Sequence, residues 1–299
     1  MCHFKMTSLI MIVIPTTIKV EDYSCPSVVV PRIRVLKYAW IYKERVYDRN
    51  VEVTFAANEP CDDHFREVII ILKALLPQTK CNALTVRITI LLSDHKKVLP
   101  TSGVLDKDNV NTGYARRCNE IVVYRKEEWK KVLIHEFFHY FEFDMNIYED
   151  VARIFPVPVR VDLKETFCEV WARIIHCSLS SNVETCLKRE REWACFQMVK
   201  VLDYMGLTYD DLLNKTNLER YKENTNVFAY IVLGAILLQN PRKFMFWSKG
   251  FNAPPGLDKL IETMYKTPIF LQLVAKAERS YVRHKRLGTD DSITMRMSL

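Results

Sequence analysis

The 299-residue sequence has no CxxC pair, no apolar run long enough to cross a membrane, no internal repeat and no low-complexity tract. Each absence removes a class of protein. The nine cysteines stand at positions 2, 25, 61, 81, 118, 168, 177, 186 and 195. Odd in number and without close pairing, they form neither a zinc knuckle nor the dense framework of a small secreted domain. The expectation is reduced thiols in a reducing compartment. The opening "MCHFKMTSLIMIVIP" holds one apolar run of about six residues, too short for a span, and lacks a small-residue cleavage site. A buried strand fits it better. The chain is therefore expected to be intracellular (cytoplasmic), with no signal peptide and no membrane partner. "NKT" at 214–216 has the form of a glycosylation sequon, but without a secretory signal it reads as coincidence. A strong excess of one charge is missing too. Lys and Arg number 43 against 36 Asp and Glu, a net +7, and the densest basic cluster is the short "RHKR" at 283–286. Dispersed charge of this kind is a solvated surface, so no specific nucleic-acid partner is expected.

What is present is ordinary globular composition, 49% hydrophobic and 26% charged, in a length that suits one large domain or two modest ones. "VEVTFA" alternates as a strand does. "CDDHFREVIIILKALLP" reads as a helix capped by Asp62 or Asp63 and closed by Pro77. "ALTVRITILLS" and "NEIVVYR" read as strands, and "VNTGYARR" as a short irregular one broken at Gly113. "KEEWKKVLIHEFFHYFEF" reads as a helix with Glu127 and Glu128 in its first turn, where the helix dipole favours acids. After residue 145 only helical periodicity recurs. The expected organisation is an N-terminal extension (1–45), an α+β subdomain (46–145), a helical subdomain (146–285) and a flexible tail (286–299).

Histidine is also scarce, seven in all, yet two stand four apart in "HEFFH" at 135–139. On a helix, residues i and i+4 share a face, so His135 and His139 can both point a nitrogen at one ion about 2 Å away. Glu136, turned roughly 100° from His135, stands beside that ion, where it can take a proton from bound water. Leu133, Ile134, Phe137, Phe138 and Phe141 make the helix apolar almost all round. Burying two imidazoles and a carboxylate without partners is costly, and a metal removes the cost. The bland alternative is two core histidines bonded to carbonyls. A chance HExxH in a chain of this composition is on the order of a 1% event, which favours zinc.

A catalytic zinc needs a third protein ligand and one open position. "DLKETFCEVWARIIH" is the best source: Glu165 and Glu169 are four apart and share a face. His176 shares it too, but lies about 16 Å along the axis from Glu165 and about 10 Å from Glu169, too far to join either at one ion. A core or rim histidine is expected there. "DLKE" is also a capping-box pattern, with Asp162 as N-cap and Glu165 at the third helical position. On that reading Glu165 bonds only the helix start and Glu169 is the ligand, so both glutamates stay open.

HExxH followed by a helix bearing ExxxD, occasionally ExxxE, resembles the gluzincins, the thermolysin-like zinc metallopeptidases. The resemblance covers roughly residues 50–180. HExxH is its specific half and ExxxE the weaker one. It implies a zincin-like α+β fold, a small mixed sheet with a backing helix ahead of the HExxH helix, and a helical C-terminal subdomain. It also implies His135, His139 and Glu165 as Zn2+ ligands, Glu136 as general base, and Glu169 as a carboxylate orienting a ligand histidine. "VNTGY", then "NEIVVYRKEEW", then the HEFFH helix is similar to the sheet edge that holds peptide in zincins. "RKEEWKKVLIHE" and "NTNVFAYIVL" are similar to segments of metallopeptidase-like proteins of large DNA viruses, which implies a viral protein. Two features depart from the family: Glu169 stands where aspartate is usual, and 25 residues separate His139 from Glu165.

The expected chemistry is zinc-dependent hydrolysis of a peptide or protein substrate, with Glu136 as base. Tyr230, in "NTNVFAYIVLG", is the candidate second donor to the oxyanion, against the reading of a core tyrosine. Asn111, Thr112 and Gly113 offer backbone groups to an extended peptide. The alternative is a zincin-fold binding or scaffold protein that has lost turnover. The intact Glu136 counts against it, because a purely structural site has no use for a base.

Overall fold

The computed structural model describes residues 10–15 and 23–299. The chain is α+β and divides into two compact units, Met1–Lys96 with Thr112–Phe143, and Lys97–Asn111 with Asp144–Leu299.

The first unit is built on a six-stranded mixed sheet in the order β1-β2-β3-β4-β6-β5. After β1 (Ile10–Pro15) comes a single helical turn, α1 (Val30–Ile33), and then the hairpin β2 (Tyr38–Val46) and β3 (Arg49–Ala57). The opening apolar run is thus a strand at the edge of the sheet, with Ile12 exposed and not buried, while residues 1–9 lie outside the described residues. Two strands begin before residue 46, so the sheet reaches into the segment expected to be an extension. In β3, Val51, Val53 and Phe55 are buried and Glu52 and Thr54 are not, the period of two that a half-buried strand imposes. Helix α2 (Asp62–Leu75) crosses over to β4 (Thr85–Leu91), which runs parallel to β3. Its apolar face, Phe65, Val68, Ile69, Ile71, Leu72 and Leu75, is buried, and Phe65 stacks on Tyr42 of β2 with centroids 4.8 Å apart. The N-cap is Cys61, so Asp62 and Asp63 stand in the first turn and neither is the cap. Their charge favours the helix through the dipole instead.

Between β4 and β5 the chain belongs to the second unit, where it forms one helical turn, α3 (Lys107–Val110). It returns as β5 (Gly113–Arg116), paired antiparallel to β6 (Glu120–Val123), itself parallel to β4. Gly113 begins β5 and does not break it. Helix α4 (Trp129–Tyr140) follows and packs on β5 and β6. Its start differs from expectation. Glu128 adopts a left-handed backbone (φ 58°) that turns the chain out of the strand, so Glu127 and Glu128 precede the helix and its first turn holds no acid.

The second unit is helical. Its elements are α5 (Leu163–Ser178), α6 (Val183–Tyr204), α7 (Tyr209–Asn214), a π-helical segment Phe228–Leu233 running into α8 (Gly234–Leu238), α9 (Pro241–Ser248), α10 (Leu257–Glu262), α11 (Pro268–Leu287) and α12 (Asp290–Ile293). Phe167 and Trp171 of α5 meet Phe244 of α9. Among the described residues no helix is long and apolar enough to cross a membrane.

Two expectations are corrected. Residues 286–299 do not form a flexible tail, because Met295, Met297 and Ser298 are buried. The alternation Met-Arg-Met-Ser places apolar side chains inward at every second position, as an extended segment against a core requires. The second concerns the thiols: Cys81 lies against Cys118 and Cys177 against Cys186, at Cα–Cα distances of 5.7 and 5.4 Å, separations that a disulfide can span. Cys25, Cys61, Cys168 and Cys195 stand outside these two pairs.

Candidate metal centre

Helix α4 carries HEFFH on a segment whose Leu133, Ile134, Phe137 and Phe138 are fully buried. Those side chains fix the helix against the sheet and so fix the direction of the polar ones. His135 and Glu136 are buried and His139 is half-buried. The i, i+4 spacing brings the imidazoles together, with ring centroids 5.0 Å apart, planes inclined at 67° and Nε2 atoms 3.2 Å apart. Two arrangements account for that distance. One ring can donate an N–H to the lone pair of the other, or both lone pairs can serve one cation. Two nitrogens each 2.0–2.1 Å from a tetrahedral metal stand about 3.3 Å apart, so the spacing of the pair matches that of two ligands of one ion.

Glu136 lies against the start of the edge strand. A Cβ added to Gly113 would sit 2.8 Å from the Val122 carbonyl oxygen, 3.1 Å from Val132 Cγ1 and 3.3 Å from Glu136 Cγ. Only glycine allows β5 so close to both its partner strand and α4. This is the function of Gly113 that periodicity alone did not reveal. Thr112 is buried, and its carbonyl accepts the amide of Tyr124. Beyond Gly113, β5 pairs with β6 on one side and ends the sheet on the other, leaving an edge that an extended chain can join.

The remaining expected residues belong to the second unit. Glu165 is half-buried in the first turn of α5. Asp162 is the N-cap and accepts from the amide of Lys164, at 3.0 Å. A capping box would instead direct that bond to the amide of Glu165 itself. Glu169, one turn on, is 1% exposed and accepts from Arg173 Nε at 2.8 Å; Arg173 is equally buried. His176 is half-buried in the last turn of α5. Tyr230 is buried in the π-helical segment, its amide donating to the Asn226 carbonyl. Thr166 Oγ1 donates to the Ala229 carbonyl at 3.1 Å. That bond sets the first turn of α5, with Glu165, alongside the segment carrying Tyr230. A one-turn π-helix widens the backbone and re-aims its side chains, and such segments recur at functional positions.

Arg173 was missed by sequence reasoning. The signal was present, because Glu169 and Arg173 are four apart on one helix, the spacing of a helical ion pair. Asn111, the other expected peptide contact, accepts from Thr225 Oγ1 at 3.2 Å in the second unit. Comparison with protein-family models, with curated proteins and with solved structures finds no match to this chain.

Proposed function

We propose that the protein is a zinc-dependent peptidase of the zincin type, close in plan to the gluzincins, with His135, His139 and Glu165 as ligands. The observation that carries this reading is the convergence of the two Nε2 atoms at 3.2 Å with Glu136 as the next residue. Three further features support it. The donor set, two imidazoles and a carboxylate, is one that catalytic zinc favours. Asp162 caps the start of α5 with its own side chain, accepting the Lys164 amide, and Glu165 stands in that first turn at the half-buried position a ligand needs. Glu169 is engaged by Arg173, which suits a supporting carboxylate better than a ligand.

When bound, zinc would supply Lewis acidity, lowering the pKa of a water and polarising the scissile carbonyl. The protein's own groups supply the rest. Glu136 takes the proton from the attacking water and returns it to the leaving amine. Edge strand β5 aligns an extended substrate through backbone hydrogen bonds, and Gly113 lets that strand approach Glu136. Tyr230 donates to the oxyanion. Glu169 orients a ligand histidine.

The test is metal analysis of the purified protein beside His135→Ala, His139→Ala and Glu136→Gln, with each run on a peptide library. Expected are about one zinc per chain in the wild type, loss of it in either histidine variant, and retention in Glu136→Gln with turnover down roughly 10²–10⁴-fold. Stoichiometric zinc in the double histidine variant removes the site. Wild-type turnover in Glu136→Gln removes the mechanism. Zinc without turnover on any peptide leaves the metal centre standing and favours the scaffold reading.

A further inference from the structure

The second unit contains a line of buried charge leading from Glu169 to the C-terminal segment. Glu169 Oε1 accepts from Arg173 Nε at 2.8 Å, and both side chains are 1% exposed. Arg173 Nη1 stands 3.9 Å from Glu190 Oε2 on α6, where Glu190 is 2% exposed. The other oxygen of Glu190, Oε1, accepts the backbone amide of Leu299 at 2.9 Å.

The segment that delivers this amide is held along α6 by independent contacts. Lys200 Nζ donates to the carbonyls of Asp291 and Thr294. Trp193 Nε1 donates to the Arg296 carbonyl at 3.0 Å, and the Arg296 guanidinium lies over the Trp193 ring. Met295 and Met297 are buried beside these contacts, and the Met295 amide donates to the Lys97 carbonyl.

The contacts of Lys200, Trp193, Met295 and Met297 hold the strap without Glu169 or Arg173, and two carboxylates sharing one buried guanidinium cost desolvation that a hydrophobic contact would avoid. What the charges add is direction. Arg173 faces Glu169 through Nε and Glu190 through Nη1, and Glu190 accepts the Leu299 amide at its other oxygen.

We propose that Arg173, Glu190 and the strap ending at Leu299 are positioning elements for the Glu169 carboxylate, so that docking of the strap sets how well Glu169 supports the metal centre. The consequence for metal rests on the reading of Glu169 given above; the coupling of strap to Glu169 does not. The experiment therefore has two arms. In the first, the metal-free protein, Glu169→Ala, a chain ended at Met297, and the combination of both are melted in chelator. The expected result is non-additivity, the combined variant melting close to the worse single variant, because either change already breaks the line. Melting shifts that simply add overturn the proposal, whether or not the protein binds zinc. In the second arm, zinc affinity is measured by competition with a chromophoric chelator. Glu190→Gln and the chain ended at Met297 are expected to bind zinc about 10–100-fold more weakly. Arg173→Lys, which keeps the charge, is expected to retain more affinity than Arg173→Met. Tyr209→Phe loses a hydroxyl bond to the Tyr265 carbonyl in the same unit, away from the line. It is expected to melt lower with zinc affinity unchanged. Wild-type affinity in both Glu190→Gln and the shortened chain overturns the positioning role. A wild type that takes up no zinc overturns the metal reading alone, and the melting arm still decides the coupling.

Discussion

Helices α4 and α5 both carry ionisable residues four apart on buried faces, and they use them in opposite ways. In α4 the two members of the pair turn toward each other, His135 and His139 with Nε2 atoms 3.2 Å apart. Two imidazoles at that distance fit either a donated N–H or one shared cation. In α5, Glu165 and Glu169 have different surroundings. The first is half-buried in the opening turn, and the second is neutralised by Arg173 with 1% exposure on each side. Two polar residues at helical spacing therefore do not make a site by spacing alone. One asks what each has already been given as a partner.

The difference gives the two glutamates opposite expected signatures. Glu165→Ala removes a ligand on the proposed reading, so zinc is largely lost while the metal-free protein melts almost as before, the residue being partly solvated. Zinc titration and a melt in chelator on the same sample check both halves. Unchanged zinc affinity in Glu165→Ala would move the third ligand elsewhere and leave the hydrolase reading on HEFFH alone.

Glu169→Ala is expected to act first on the fold. It leaves the Arg173 guanidinium buried without the Glu169 carboxylate, with Glu190 at 3.9 Å. Breaking a buried pair by removing one partner typically costs about 3–5 kcal/mol. Denaturant unfolding of the metal-free variant measures it. Glu169→Gln keeps an acceptor oxygen for Arg173 and is expected to cost less. A Glu169→Ala protein as stable as the wild type would show that the ion pair contributes nothing, and would return Glu169 to the set of possible ligands.

How far each helix could be read beforehand follows from the range of the interactions. The HEFFH arrangement is settled within five residues by helix geometry, and the strands β3, β4 and β6 declare themselves by β-branched alternation. Events a turn or more outside the local pattern did not. The start of α4 depends on a left-handed backbone at Glu128, which no periodicity encodes in a residue that rarely adopts it. The Cys81–Cys118 pair joins positions 37 apart, beyond any local rule. Cys177 and Cys186, nine apart, had a visible spacing, but the turn between α5 and α6 that folds one onto the other was needed to give it meaning. The C-terminal segment is polar in composition, and only Met295 and Met297, two positions apart, mark it for burial.

The smallest expected effect concerns the approach to Tyr230. Glu223 accepts from the Tyr221 hydroxyl at 2.9 Å and from the amide of Phe228, the first residue of the π-helical segment, at 2.8 Å. Burial is the largest influence on its carboxyl and raises its pKa from 4.5 to about 7, against these hydrogen bonds, which favour the charged form. A carboxyl whose folded pKa exceeds its unfolded one binds more protons in the native state between those two values. Its contribution to stability is fully present below about 4.5 and is lost as pH rises through about 7. The loss is on the order of 3 kcal/mol from the size of the shift. Melts of the metal-free protein between pH 4 and 8 are expected to show that decline on top of the background of other groups. Glu223→Gln cannot titrate, so its profile should be flatter over the same interval, by the amount Glu223 contributes. Parallel profiles for the two proteins would mean that Glu223 titrates alike in the folded and unfolded chain, and that the start of the segment carrying Tyr230 is indifferent to its charge.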